Sequence, residues 1–136
     1  MATKIFVNLP VKDLVASREF FTRLGYSFNP QFSDDNAGCL VISDDIFAML
    51  LVEPFFKKFT HKEIADARTT AEAIVTLSAD SRQQVDELVD AALSAGGRAA
   101  GETQDQGFMY GRGFQDLDGH LWEIMWMDPA AVEQQS

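Results

Sequence analysis

One carboxylate stands in the middle of the most strand-like stretch of the sequence. Residues 120–127 are rich in aromatic and β-prone side chains, and Glu123 is the single acid among them. Transferring a carboxylate out of water is costly, so a strand buried on both faces excludes an unpaired one. Glu123 is therefore predicted to face a wet cavity or to have a hydrogen-bonding or metal partner. It is the candidate catalytic residue, in the role of a general base.

Two polar side chains alternate on the stretch that precedes this one. Tyr110 and Arg112 are separated by one residue, so they share a face of a predicted strand. Gly111 and Gly113 beside them favour a close backbone approach or a kink. One interpretation is that Tyr110 and Arg112 bind an anionic or carbonyl group of a ligand. The other is that Arg112 pairs with a surface acid, and the sequence leaves both open.

The remaining candidates for chemistry have simpler explanations. His61 and His120 have no Asp, Glu or His companion at metal-ligand spacing, and a surface position is predicted for both. Cys39 begins a predicted strand and is interpreted as a small buried hydrophobe. Asp116 and Asp118 are predicted to form a turn, because aspartate side chains bond to nearby backbone N–H groups.

The composition excludes several classes of partner. The formal net charge of the 136 residues is -10, which disfavours nucleic acid and anionic membranes and would attract a cationic ligand. The most apolar run, residues 46–52, is too short to span a bilayer, and no targeting segment is visible. A single cysteine excludes an intramolecular disulfide. We expect a cytoplasmic protein that binds neither nucleic acid nor membranes.

The elements that position these residues occur in the same order twice. In each half a strand is followed by a helix with an Asp or Ser cap, then by three strands separated by turn residues. The first half is predicted as strands 5–9, 26–32, 38–42 and 46–52, with a helix from Asp13 to Gly25. The second is predicted as strands 73–78, 98–102, 108–115 and 120–127, with a helix from Asp80 or Ser81 to Gly96.

The two halves are joined by a segment with its own helix signal. Thr60 and Glu63 have the spacing of a capping box, which predicts a short helix over residues 61–68. The phenylalanines between Phe55 and Phe59 are too many for a plain linker. They are predicted to cover a pocket mouth or to contact a partner subunit; packing on the edge of the chain's own domain is the alternative.

The closing motif and the duplication together resemble a known superfamily. Asp116-x-Asp118-Gly119 followed by Glu123 on the last strand is similar to the closing signature of the vicinal oxygen chelate superfamily. That superfamily contains glyoxalase I, extradiol dioxygenases, fosfomycin-resistance enzymes and bleomycin-resistance proteins. The resemblance implies an α+β fold in which two βαβββ modules form curled mixed sheets around a cavity. It implies one glyoxalase-like domain over 1–136, with module one about 1–53, a linker helix about 54–70, module two about 71–128 and a C-terminal tail 129–136.

The same resemblance places the superfamily's metal ligands at Phe6, Ile74 and Glu123, and a further one on the fourth strand. Only Glu123 carries a donor atom, and the fourth strand has none before Glu53 at its end. One carboxylate does not hold a divalent ion, which needs several ligands in fixed geometry. We therefore expect neither a metal ion nor another cofactor.

These observations favour a metal-free small-molecule binding protein similar to bleomycin-resistance proteins, with a cationic or aromatic ligand. A homodimer is expected. Alternation along the strands places Met125 on the face of Glu123 and leaves Trp122, Ile124 and Trp126 under the helices. The predicted ligand-binding residues are Phe6, Asn8, Met49, Ile74, Thr76, Tyr110, Arg112, Glu123 and Met125.

Two alternatives belong to other classes. The first is an enzyme of the glyoxalase I lyase or extradiol dioxygenase type, which requires a metal site built from Glu53 or Asn8 with Glu123. The second is a metal-free isomerase or lyase that uses Glu123 as its base.

Overall fold

A computed structural model describes residues 3–131 of the chain. These residues form two compact units; the first ends at Asp66 and the second begins at Ala67. Residues 132–136 of the predicted C-terminal tail lie outside the described part.

The first unit is a four-stranded mixed sheet with one long helix. The strand order is β1-β4-β3-β2; β1 and β4 are parallel and the other pairs are antiparallel. A 3₁₀ helix, Pro30–Phe32, follows β2. The elements are β1 Ile5–Val11, α1 Leu14–Arg23, β2 Ser27–Phe28, β3 Ala37–Val41, β4 Ile46–Val52 and the short α2 Glu53–Phe56.

The core of this unit lies between α1 and the sheet. Asp13 caps α1, because its Oδ1 accepts a hydrogen bond from the backbone N–H of Ala16 at 3.1 Å. The helix buries Phe20 and Phe21, whose rings meet edge to face. Burying such side chains supplies most of the stabilisation that a small unit has.

The second unit repeats the arrangement. Its strand order is β5-β8-β7-β6, with β5 and β8 parallel and the remaining pairs antiparallel. The elements are β5 Ile74–Ser78, α3 Arg82–Ser94, β6 Arg98–Asp105, β7 Met109–Gln115 and β8 Leu121–Met127.

Helix α3 packs its apolar side on this sheet. Ser81 is the cap, and its hydroxyl accepts from the backbone N–H of Gln84 at 3.0 Å. Val85, Val89 and Ala92 are fully buried on that side. The predicted α+β class and the repeated β, α, β, β, β order are therefore confirmed.

The helix predicted over residues 61–68 is wrong. Helix α2 instead begins directly after β4, and a 3₁₀ helix, Lys57–Phe59, follows it. Pro54 explains the earlier start, because proline suits the first turn of a helix and cannot continue a strand ladder. Thr60 does not cap a helix; its hydroxyl accepts from the N–H of Lys62 at 3.1 Å and closes a local turn.

None of the helices within residues 3–131 combines the length and the apolar character that crossing a membrane would require.

Candidate functional site

The polar partner of Glu123 lies on the neighbouring strand. Thr76 of β5 is directly opposite Glu123 in the parallel ladder, and its hydroxyl donates to Glu123 Oε1 at 3.1 Å. The flanking Trp122 and Ile124 are buried, whereas Leu121, Glu123 and Met125 are half-buried on the other face of β8. The predicted alternation along β8 and the prediction of a hydrogen-bonding partner for Glu123 are both confirmed.

The face that carries Glu123 is open to solvent and partly apolar. Ile74 lies opposite Leu121 and is 62% exposed, which is unusual for an isoleucine on a sheet. Met125 is the next residue along β8 on this face and lies opposite Ser78. The second unit therefore brings Ile74, Thr76, Glu123 and Met125 together on one face of its sheet.

A groove of about 320 Å³ runs beside Glu123. Its floor contains Gly113, which lies opposite Glu123 in the antiparallel ladder. A Cβ at Gly113 would stand 2.7 Å from the carbonyl oxygen of Ala100, so a larger residue would push the strands apart. The groove is lined by Ile74, Ala100, Gly101, Glu102, Gln104, Gly111, Arg112, Gly113, Leu121, Trp122 and Glu123.

One wall of the groove is an irregular stretch of the edge strand β6. The pairing with β7 shifts between Ala100 and Gln104, and Gly101 has a positive φ of 70°. Such a bulge redirects side chains, and here Glu102 and Gln104 line the groove. Neither residue is among those predicted from the sequence, although a glycine inside a strand is a signal for a bulge.

The side chains of Tyr110 and Arg112 do not share the sheet face of Glu123, although Arg112 borders the groove. They are paired in the ladder with Trp126 and Ile124, and so their side chains belong to the helix side of the sheet. Tyr110 donates its hydroxyl to Asp86 of α3 at 2.7 Å. The side chains of these two residues therefore bond to α3 and do not face Glu123.

Arg112 follows the second interpretation offered for it. Its guanidinium donates to Asp86 at 2.9 Å and to Asp90 at 3.0 Å. These two carboxylates are one turn apart on α3, so a single guanidinium reaches both. The hydrogen bond from Tyr110 and the one from Arg112 hold the pKa of Asp86 below its usual value, against a smaller opposing effect of burial.

A second arginine, on α3, bonds to the β6–β7 hairpin. Arg82 donates to both oxygens of Asp105, at 2.9 and 2.6 Å, and lies over the rings of Tyr110 and Trp126. The hydrogen bond from Arg82, helped by the N–H of Gly107, lowers the pKa of Asp105 to about 2.

Asp116 organises the turn that leads into β8. Its Oδ1 accepts from the N–H groups of Asp118 and His120, each at 3.0 Å, which confirms a turn-forming role. Its Oδ2 accepts from the indole N–H of Trp122 at 3.0 Å. Burial raises the pKa of Asp116, and the charge of His120 and these hydrogen bonds oppose that rise. The turn thereby fixes the start of the strand that carries Glu123.

The predicted binding residues of the first unit share one face of its own sheet. Phe6 is 49% exposed and stacks on Phe47 with ring centroids 4.8 Å apart. Asn8 and Met49 are ladder partners on that face, and Asn8 donates its side-chain amide to the Phe6 carbonyl at 3.3 Å. Cys39 is buried, as predicted, and burial raises the pKa of its thiol.

Comparison with known proteins agrees with this architecture. Residues 3–43 match the family model for bleomycin resistance protein-like N-terminal domains. A glyoxalase/bleomycin resistance protein/dioxygenase family enzyme from Burkholderia phytofirmans PsJN superposes with a TM-score of 0.75 at 16% identity, covering 93% of this chain and 99% of that one. The predicted resemblance to the vicinal oxygen chelate superfamily is confirmed.

Two other solved structures are similar to this chain. The hypothetical protein SA1046 from S. aureus is 27% identical, with a TM-score of 0.77 and coverage of 93% of this chain and 95% of that one. The fosfomycin resistance protein FosX from Listeria monocytogenes, complexed with Mn(II) and sulfate, has a TM-score of 0.69 at 16% identity, covering 99% and 98%. No curated protein matches the chain.

At two of the three positions where the resemblance predicts metal ligands, the side chains carry no donor atom. Phe6 and Ile74 present only carbon atoms, and Glu123 already accepts a hydrogen bond from Thr76. Within residues 3–131, no three His, Cys, Asp or Glu side chains come together as a metal site would require.

Proposed function

We propose that this chain is a small-molecule binding protein whose ligand occupies the groove beside Glu123 without a metal ion. The observation that carries the proposal is the pairing of one hydrogen-bonded carboxylate with an open, partly apolar groove. A few placed polar groups among apolar walls are typical of ligand sites. Glu123 would orient the ligand, and Ile74 and Leu121 would contact its apolar part.

The chemistry of the groove favours a ligand with a hydrogen-bond donor. A carboxylate that is ionised only accepts hydrogen bonds, so it selects an ammonium, guanidinium or hydroxyl group. The net charge of -10 supports a cationic ligand, and the exposed Ile74 supports one with an aromatic or aliphatic body.

Metal-free binding is supported by the side chains themselves. A phenyl ring at Phe6 and a butyl group at Ile74 offer no lone pair to a cation. The groove lining contains two carboxylates, Glu102 and Glu123, and they leave most of a divalent ion's coordination sphere to water, which gives weak binding.

The alternative is a metalloenzyme of the lyase or dioxygenase type. It is favoured by the fold shared with FosX, whose structure contains Mn(II). It requires donors beyond Glu123, and Glu53 and Asn8 are the residues the sequence offers for that role.

A ligand screen separates the two functions. Thermal-shift measurements would be made on the wild type with chelator and with added divalent cations, and on Glu123→Gln. Glu87→Gln, on the exposed side of α3, is the matched control. We expect stabilising ligands in the presence of chelator, lost in Glu123→Gln and kept in Glu87→Gln. One equivalent of transition metal per purified chain, lost in Glu123→Gln, would support the metalloenzyme instead.

We also propose that the protein is cytoplasmic and forms a homodimer. The support for a dimer is the exposed Phe59, which is 70% accessible in a single chain.

A further inference from the structure

A basic aromatic patch lies just after β4. Residues 54–62 contain three of the eleven Lys and Arg residues of the chain and no acid. Phe59 meets Phe55 edge to face at 5.2 Å, and Lys58 lies over the Phe55 ring. We call Phe55, Lys57, Lys58, Phe59 and Lys62 the basic aromatic patch. It is unusual in a chain with a net charge of -10.

The same unit carries an acidic counterpart. Phe32 is 60% exposed at the end of its 3₁₀ helix, and Asp34 and Asp35 follow it on the surface. We call these three residues the acidic aromatic patch. Neither Asp35 nor Lys58 forms an ion pair with any other described residue. Both charges are therefore available to a partner.

The two patches adjoin the same end of the sheet. The backbone N–H of Val52, just before α2, donates to the carbonyl of Asn36 at 3.0 Å, and Asn36 directly follows the acidic aromatic patch. A two-fold axis that passes between the two patches places the basic aromatic patch of one molecule against the acidic aromatic patch of the second, and the reverse. An axis through either patch alone would instead juxtapose like charges, which is costly.

We propose that a second copy of this chain docks here, with the basic aromatic patch of each protomer against the acidic aromatic patch of the other. The inference rests on the proposed homodimer and assigns its surface. The dimer contains two identical contacts. In each, the exposed Phe59 and the lysines of one protomer meet the exposed Phe32 and the aspartates of the other. Because the pairs are solvent-exposed, raising the salt concentration weakens the dimer.

A charge-swap experiment tests the assignment. Lys58→Glu and Asp35→Lys each place like charges together in both contacts, so the dimer Kd of either variant rises at least about tenfold. In an equimolar mixture the introduced glutamate meets the introduced lysine, and the unaltered Lys58 and Asp35 still meet in the other contact. Sedimentation velocity is therefore expected to show the dimer restored in the mixture.

Controls carry the same charge changes on the second unit. Arg98→Glu and Glu72→Lys, at exposed positions, are expected to dimerise with the wild-type Kd. Circular dichroism melts establish that each variant is folded. A wild-type Kd in both Lys58→Glu and Asp35→Lys would show a dimer that uses another surface and would overturn this assignment alone. A wild type that stays monomeric would overturn the homodimer as well, and neither result bears on ligand binding.

Discussion

Trp122 connects the turn motif to the core of the second unit. Its ring is buried and stacks on Phe114, with centroids 6.4 Å apart, and its indole N–H bonds Asp116. Removing the ring leaves a cavity, whereas removing only the N–H leaves a buried carboxylate oxygen without its donor.

We predict that Trp122→Ala lowers the free energy of unfolding by about 3–5 kcal/mol. Trp122→Phe keeps most of the packing and is expected to cost about 1–3 kcal/mol. Urea unfolding followed by circular dichroism measures both. Equal losses in the two variants would show that the hydrogen bond to Asp116 contributes as much as the whole ring, contrary to this description.

The Arg82–Asp105 pair gives a prediction for pH. The folded pKa of Asp105, about 2, lies below its ordinary value of 3.8. The pair therefore stabilises the fold above about pH 3.8, and that contribution is lost as the pH falls through about 2. A carboxyl-carbon NMR titration is expected to show Asp105 titrating near the lower value. In Arg82→Gln the midpoint should move up toward 3.8; an unchanged midpoint would refute the role of Arg82.

At the scale of elements, the β7–β8 turn depends on a close backbone approach. Gly119 has a φ of 90°, and a Cβ there would stand 2.8 Å from the carbonyl oxygen of Ala67. Gly25, after α1, has a φ of 102° but no atom within 4 Å of such a Cβ. The two glycines share the backbone conformation and differ in their surroundings.

Alanine substitutions at Gly25 and Gly119 distinguish the cost of conformational strain from the cost of a steric clash. Gly25→Ala is expected to cost about 1–2 kcal/mol, the penalty of a left-handed conformation. Gly119→Ala adds a clash with backbone that cannot swing away, for a further 1–3 kcal/mol or so. Chemical denaturation of the two variants checks the order. A Gly119→Ala protein as stable as Gly25→Ala would show that residues 67 and 68 do not pack on this turn.

Helices and strands whose apolar residues recur with a clear period could be predicted from the sequence, and features that depend on tertiary contacts could not. The alternation of β8 placed Glu123 correctly because one face is buried under α3. Tyr110 and Arg112 share a face, as predicted. The pairing of β7 with β8 decides which face that is, and this pairing depends on contacts between the strands that periodicity along one strand does not reveal. The capping-box signal at Thr60 failed because Pro54 had already started a helix.

At the scale of the whole molecule, the repeated element order was visible in the sequence because each half carries its own cap, helix and turn signals. The bulge at Gly101, and with it Glu102 and Gln104, was not predicted, since a register shift depends on the partner strand. The two predicted site regions lie on separate units, each on the solvent-facing side of its sheet.

In the proposed function, a ligand binds beside Glu123 without a metal ion. Isothermal titration of a ligand found by screening, in the presence of a chelator, tests it most directly on the wild type, Glu123→Gln and Glu87→Gln. We predict unchanged affinity on adding chelator, a loss of at least about tenfold in Glu123→Gln from the missing charge-assisted hydrogen bond, and wild-type affinity in Glu87→Gln. Binding that disappears with chelator, or that is the same in Glu123→Gln and the wild type, would contradict the proposed function.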